Sequence, residues 1–309
     1  MNRTVIFMGT PQIAVPSLLA LLDAGFEIPL AVSQPDKPKG RGNRLTPTPV
    51  KETSIAHGIS VYQPEKLRDN PEAAEMLSSF NPAFFAVVAY GKILPAEILD
   101  IPAYAPVNLH FSLLPLYRGA APVNWAILNG NEKTGVTTMK MDAGMDTGDI
   151  LLMNETSVTG KNAAELADEL SRSGAELLVK TLREYESIAP RKQNHLYATN
   201  APMMRKEDGL INWNKSAGEI ERMIRAFTPW PSAYTYLDGK ALKISAADVD
   251  TEYSGNDPGL IYCTGKRSFR VGTGQGGLIL KELQLEGKRS MTAAEFIAGY
   301  KLNIGSYVG

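Results

Sequence analysis

Asn108 and His110 stand two residues apart at the end of a strand-like apolar run in a chain of 309 residues. At strand spacing, residues i and i+2 point to the same face, so an amide and an imidazole can converge on one substrate atom. The first can donate a hydrogen bond, and the second can donate or carry a proton. The chain continues as Phe111-Ser112-Leu113-Leu114-Pro115-Leu116-Tyr117-Arg118-Gly119, a loop that leads through Ala120-Ala121-Pro122 into the next helix. Further on, Met141-Asp142-Ala143-Gly144-Met145-Asp146-Thr147-Gly148-Asp149 places two glycines and three aspartates in nine residues. Such a segment makes a tight acidic loop between two strands, and a carboxylate at Asp146 could reach an imidazole on another loop. Taken singly, an Asn or His at a strand end is ordinarily hydrogen-bonded structure. An acidic loop alone could equally be a solvated turn or a weak metal site.

The elements that must position these groups alternate between strand and helix. Val5–Met8, Ile28–Val32, Val61-Tyr62 and Ala83–Val88 read as strands; Ile13–Leu22, Val50–His57 and Pro71–Phe80 read as helices, the first two stopped at Gly25 and Gly58. This repetition predicts an α/β fold, Rossmann-like, with a mostly parallel sheet and helices on both faces. Ligands then sit at the carboxyl ends of the strands. After Gly119 come a helix around Val123–Asn129, strands Gly135–Met141 and Asp149–Asn154, and a long amphipathic helix from Ala163 to about Ile188 with Leu166, Leu170, Leu177, Leu178 and Leu182 on one side. From Ala189 to Lys206 the chain turns polar and basic, which reads as a linker. Beyond it, Ser216–Phe227 looks helical. Ala233–Leu237, Ala241–Ala247, Gly259–Cys263, Phe269–Gly272 and Gly277–Leu285 are short strands with glycine-rich turns, which predict a small β-barrel. The expected domains are residues 1–188, a linker at 189–206, and 207–309.

Bulk properties exclude several classes. The formal net charge is −1, so the chain is not a globally basic nucleic-acid binder, although a local basic patch remains open. Its single cysteine, Cys263, cannot form an internal disulfide or a cysteine-rich zinc site. No apolar stretch approaches the ~20 residues that span a bilayer, and Val5–Met8 is too short for a signal-peptide core. A cytoplasmic monomer with no metal is the expectation. Gly9 follows the first strand alone, without G-x-G-x-x-G, so it reads as a tight strand-to-helix turn and argues against a nicotinamide dehydrogenase.

The combination Asn108-x-His110-x-Ser112-Leu-Leu-Pro115-x-Tyr117-Arg118-Gly119, with Asp146 placed 36 residues after His110, resembles the folate-dependent formyltransferases. The resemblance covers nearly the whole chain. It includes Phe7–Pro11, Gln34–Pro38 with Gly40-Arg41-Gly42, Val88–Pro95, Lys206–Gly209 with Trp213, and Arg225–Pro231. Small departures are Ile13, where the family often has Phe, and Asn212, where Asp is usual.

The family reaction takes the formyl group of 10-formyltetrahydrofolate to an amine, so the resemblance implies a formyl-transferring catalytic domain. It implies Asn108 and His110 as donors to the developing oxyanion. It implies Asp146 as the partner of His110 in moving protons between the amine and the leaving folate nitrogen. Tyr90, Gly91, Lys92, Ile93 and Leu94 match the pterin-side segment. Ser112, Leu113, Leu114 and Pro115 match the folate-contacting loop. The C-terminal motifs select the branch whose acceptor is the α-amine of methionine on initiator tRNA. Sibling enzymes acting on an amino sugar nucleotide or a purine precursor share the Asn–His–Asp set.

The tRNA side rests on two regions. Gln34 to Lys51 holds Lys37, Lys39, Arg41, Arg44 and Lys51 against one acid, Asp36, with glycines flanking Arg41 and four prolines that block helix. By resemblance this loop enters the acceptor stem with Arg41 at its tip. Ala201–Gly309 carries 14 lysines and arginines against 12 acids, a slight excess. Arg205, Lys206, Lys266, Arg267, Arg270, Lys288 and Arg289 are candidate phosphate contacts on a barrel similar to the oligonucleotide-binding (OB) fold.

Overall fold

The computed structural model describes residues 4–39, 44–265 and 268–309. They fall into two compact units. The first gathers 1–122, 133–157 and 167–202; the second gathers 123–132, 158–166 and 203–309.

Seven strands form the sheet of the first unit: β1 (Thr4–Gly9), β2 (Glu27–Val32), β3 (Ser60–Tyr62), β4 (Phe84–Val88), β5 (Ala105–His110), β6 (Lys133–Lys140) and β7 (Ile150–Ser157). Their spatial order is β7-β6-β5-β4-β1-β2-β3. From β3 to β5 all neighbours pair in parallel, while β6 is antiparallel to β5 and β7 to β6. The expected parallel sheet is therefore present. Every residue of β4 and β5 is buried, as a strand covered on both faces requires. Chain order reverses between β1 and β4, so their following loops diverge and open a crevice at the carboxyl ends. Gly9 closes β1 there: a Cβ on it would lie 2.8 Å from the Phe7 ring and 3.0 Å from the Val88 carbonyl. That is the tight turn the sequence predicts.

Helix starts follow local chemistry. Both α1 (Pro49–Ala56) and α2 (Pro71–Ser79) place proline in the first turn, with Thr48 and Asn70 accepting from the backbone N–H of Lys51 and Ala73. The long helix, Ala163–Glu184, turns Leu166, Leu170, Leu178 and Leu182 inward. Its Gly174 meets β5: an added Cβ would come within 2.8 Å of Leu109 Cδ2. Since Leu109 lies between Asn108 and His110, the strand shows its apolar side chain to this helix and its two polar ones to the opposite face.

Two features differ from the sequence reading. Lys37–Lys39 and Arg44–Thr46 pair antiparallel as a short ribbon where only a loop was expected. Prolines exclude helix, but Pro38 still fits an extended arm opposite Leu45. The segment 189–202, whose composition suggested a linker, is ordered against the first unit. Ile150 and Arg191 exchange backbone hydrogen bonds, each 2.8 Å, and Asn200–Ala201 pairs in parallel with Arg118–Gly119.

The second unit is a curled antiparallel sheet, a half-barrel. Its strands are β8 (Ala233–Leu237), β9 (Lys240–Asp250), β10 (Ile261–Gly265), β11 (Ser268–Gly272) and β12 (Gly277–Leu285), in the order β8-β9-β12-β11-β10, with Met291–Thr292 added beside β12. Helix Ala217–Ala226 begins with a Ser216–Glu219 capping box. A second helix, Ala293–Gly299, stands beyond the last element that the sequence reading assigned; the Thr292–Glu295 capping box that starts it is a readable signal. Trp213 is buried and donates to Thr235, whereas Trp230 is 57% exposed. No helix among the described residues is long and apolar enough to cross a membrane.

Two stability outcomes follow. Gly174→Val forces a branched side chain onto Leu109 and should lower unfolding free energy by about 1–3 kcal/mol in a denaturant titration. Tyr90 sits in the core cluster with Ile6, Met8 and Phe85. Its hydroxyl has no hydrogen-bond partner among the described residues, and burial pushes its pKa up to about 12. The unfolded chain loses that proton near pH 10 and the folded one near 12, so this contribution is intact below about pH 10 and is lost as pH rises toward 12. Tyr90→Phe should leave neutral-pH stability within about 1 kcal/mol or raise it. The same substitution should flatten the alkaline decline between about pH 10 and 12, as read by melting temperature against pH.

Candidate active site

β5 delivers Asn108 and His110 to the carboxyl edge of the sheet, with only 9% and 6% of their surfaces exposed. Among the described residues no side chain or backbone group hydrogen-bonds the Asn108 amide. A nearly buried N–H₂ donor without a protein partner is suited to a substrate oxygen. His110 is held more firmly. Its Nε2 lies 2.9 Å from the Tyr117 carbonyl, which can only accept, so Nε2 carries the hydrogen. The exchangeable proton of the ring is thus the one on Nδ1. That nitrogen faces Asp146 Oδ2 at 3.6 Å.

Asp146 is brought there by unusual backbone. Its φ is +53°, and the same Oδ2 accepts from the Gly119 N–H at 2.8 Å. Aspartate tolerates the left-handed region better than most residues. On the opposing loop, Tyr117 has φ +60° and Gly119 φ +118°. A Cβ on Gly119 would stand 2.8 Å from the Ala201 carbonyl, so glycine is required for this approach. Residues 117–119 therefore set both partners, fixing the imidazole through one carbonyl and the carboxylate through one N–H.

The acidic loop divides its labour. Asp142 Oδ1 accepts from Gly144 N–H at 3.0 Å and Thr147 Oγ1 at 2.6 Å, an internal turn. Asp146 is the carboxylate that faces the imidazole.

The segment after β4 is mixed. Tyr90 and Leu94 are buried in the core, so their side chains offer no contact to a ligand. The Tyr90 carbonyl accepts from Thr10 Oγ1 at 3.0 Å and Gln34 Nε2 at 2.9 Å. Lys92 has its ammonium on the Pro64 carbonyl at 2.8 Å and also on that of Glu65, and burial pushes its pKa down. Ile93 is 65% exposed, an apolar side chain available at a strand end. In the other loop, Ser112 is buried and donates to the Leu116 carbonyl, and Leu114 packs with Met139 and Ile150. Leu113 is half-buried, and Leu114–Pro115 is a cis peptide.

Sequence reasoning gave no site role to Thr10 and Gln34, which lie in the quoted motifs, or to Thr137 and Gln193. Thr137 accepts from Leu114 N–H at 3.2 Å and donates to the Ser112 carbonyl at 2.6 Å, tying the loop after β5 to β6. Its only sequence signal is a polar residue in a buried strand.

The basic loop is partly described. Arg41 lies outside the described residues, as do Lys266 and Arg267, and the Lys39 side chain is likewise outside them. Lys37 and Arg44 are exposed. Lys51 pairs with Asp36 at 2.5 Å; Gln63 and then Lys51 hold that carboxyl below the usual range. In the second unit Arg205, Lys206, Lys288 and Arg289 are exposed, with Arg289 on Glu295 at 2.9 Å. Arg270 is turned onto buried Asp250 at 2.9 Å.

Known proteins resemble this chain in sequence and in fold. Two family profiles match, "Formyl transferase" over residues 1–182 and "Formyl transferase, C-terminal domain" over 203–301. The methionyl-tRNA formyltransferase of Citrifermentans bemidjiense is 47% identical over 308 residues, covering 99% of this chain and 96% of that one. That of Geobacter metallireducens is 46% identical, covering 99% and 98%. Among solved structures, the N-formyltransferase from Helicobacter canadensis in complex with folinic acid and dTDP-3-aminofucose superposes with a TM-score of 0.67 at 21% identity, covering 91% of this chain and 99% of that one. HypX from Aquifex aeolicus with tetrahydrofolic acid gives 0.64 at 15%, covering 99% of this chain and 51% of that one. At these identities the two structures share the fold. With both profiles in their expected places and relatives near half identical along the full length, this chain belongs to the methionyl-tRNA formyltransferases within the formyl transferase family.

Proposed function

We propose that this chain transfers the formyl group of 10-formyltetrahydrofolate to the α-amine of methionine on initiator tRNA, as a step toward translation initiation in the cytoplasm. The observation that carries the reading is the His110–Asp146 pair, 3.6 Å apart and held by the backbone of 117–119, with nearly buried Asn108 two residues from His110 on the same strand. Attack of the amine on the formyl carbon places negative charge on the formyl oxygen. Fixed donors aimed at that oxygen lower the barrier because they need no reorganisation as the charge appears. Asn108 supplies such a donor from a nearly buried position. His110 takes a proton from the amine on Nδ1 and returns it toward the departing folate nitrogen, with the Asp146 carboxylate facing Nδ1 at 3.6 Å.

The strand ends suit the folate substrate. A flat ring and its benzoyl tail need an apolar surface with nearby backbone hydrogen-bonding groups. Ile93 is exposed beside the backbone of Tyr90 and Gly91, and Leu113 stands on the loop of 112–115. For the acceptor, the exposed Lys37 and Arg44 on the ribbon and Arg205, Lys206, Lys288 and Arg289 on the second unit offer phosphate contacts. Arg41 joins them by family resemblance, and Lys39, Lys266 and Arg267 as further basic residues of the same segments. The assignment of acceptor rests on the near-full-length relatives; the sugar-acting neighbours are far more distant in sequence.

The deciding assay supplies labelled 10-formyltetrahydrofolate with charged initiator tRNA, charged elongator methionine tRNA or an amino sugar nucleotide. Label should enter initiator tRNA alone; preferential formylation of the sugar would overturn the reading. Asn108→Ala should reduce kcat about 10²–10³-fold with the fold intact. A folded His110→Ala or Asp146→Ala variant with near-normal turnover is incompatible with the mechanism. Arg41→Ala should raise KM for tRNA and leave folate affinity unchanged, and tRNA binding should weaken steeply with salt.

A further inference from the structure

We propose that Gln193 is the positioning residue for Asp146, and that Arg118 holds Gln193 in turn; this rests on the role of Asp146 given above. Gln193 lies in the polar stretch Pro190-Arg191-Lys192-Gln193-Asn194, yet only 6% of its surface is exposed. Its Nε2 donates to the Asp146 carbonyl at 2.9 Å and to the Gly148 carbonyl at 2.7 Å. Its Oε1 accepts from Arg118 Nε at 3.1 Å and Nη2 at 2.6 Å. A primary amide has two N–H donors and two oxygen lone pairs, so every position of this one is used. The reversed amide would set its oxygen against two carbonyls and its N–H₂ against a guanidinium. The orientation is therefore dictated by its neighbours.

The need for such a clamp follows from the loop. Residues 142–145 are exposed, so little buried contact restrains the tip that precedes Asp146. Gripping the carbonyls on either side of Thr147 fixes the left-handed turn at Asp146, and with it the direction of the carboxylate toward Gly119 and His110. The other end of the clamp is Arg118, between Tyr117 and Gly119, whose backbone holds the imidazole and the carboxylate. One amide thus ties the loop that carries Asp146 to the loop whose backbone holds both members of the pair. The segment bearing Gln193 has independent anchors. Ile150 pairs with Arg191, Arg118 N–H donates to the Thr199 carbonyl at 2.8 Å, and Tyr117 N–H donates to Thr199 Oγ1 at 2.8 Å. Replacing Gln193 removes the clamp and leaves the segment in place.

The test compares Gln193→Met, Gln193→Glu, Asp146→Ala and the Gln193→Met/Asp146→Ala double variant in steady-state formylation of charged initiator tRNA, with thermal melts to verify folding. Misplacing a reacting group by about 1 Å can cost on the order of 100-fold, so Gln193→Met should lower kcat about 10- to 100-fold with KM for both substrates within about twofold. Gln193→Glu has the same size and keeps the acceptor for Arg118, but loses the donors to the two carbonyls. It should be impaired to a similar degree, and it carries the test if the Met variant does not fold. The double variant should be no slower than Asp146→Ala alone, because Gln193 acts through Asp146. Losses that multiply in the double variant, or a raised KM with unchanged kcat, would overturn the proposal. So would near-normal kcat in both Gln193 variants beside an impaired Asp146→Ala. Normal turnover in Asp146→Ala as well would remove the role of Asp146 itself, and the proposal with it.

Discussion

One carboxylate oxygen, Asp146 Oδ2, stands between the Gly119 N–H and the His110 imidazole, and the rest of the site is arranged to keep it there. The arrangement demands two loops in left-handed backbone, a glycine where no Cβ can fit, and a histidine whose other nitrogen is already occupied. Residues in such conformations persist only where their surroundings over-determine them. Here the surroundings are the end of a fully buried parallel strand on one side and the ordered segment 189–202 on the other.

β5 makes this possible because of its place in the sheet. Its parallel neighbour β4 and antiparallel neighbour β6 bury both edges, so Asn108 and His110 emerge from a rigid element. Leu109 between them is pressed onto Gly174 of the long helix, which sets which face the polar pair occupies. Thr137 of β6 then fastens the loop that follows. A substrate meeting this edge encounters donors whose positions are settled before binding, which is the condition for electrostatic stabilisation of a transient oxyanion.

Near the reversal between β1 and β4, a second polar set organises the root of the basic loop. Gln34 and Thr10 meet on the Tyr90 carbonyl, Gln63 reaches Asp36, and Asp36 neutralises Lys51. The segment proposed to face folate and the loop proposed to face tRNA thus share a hydrogen-bonded base. Lys51, counted among the basic residues of that loop, is spent on this internal pair, as Arg270 is on Asp250 in the second unit. A positive charge in sequence is a candidate phosphate contact only until the fold gives it a carboxylate.

Periodicity alone determined much of the molecule. Alternating apolar runs and amphipathic segments specify the parallel sheet, because strands covered on both faces must be continuously apolar. The spacing of Asn108 and His110 placed both on one face, since side-chain direction along a strand has period two. The glycine-flanked acidic loop offered Asp146 as a carboxylate that could reach an imidazole, and resemblance gave it a role. Only tertiary structure decided how that carboxylate is aimed, because its direction depends on a positive φ and on the N–H of a distant glycine. The burial of Gln193 was equally invisible. A glutamine among prolines, lysine and asparagine has the composition of a linker, and it becomes structural only when two carbonyls and a guanidinium from separate loops close around it.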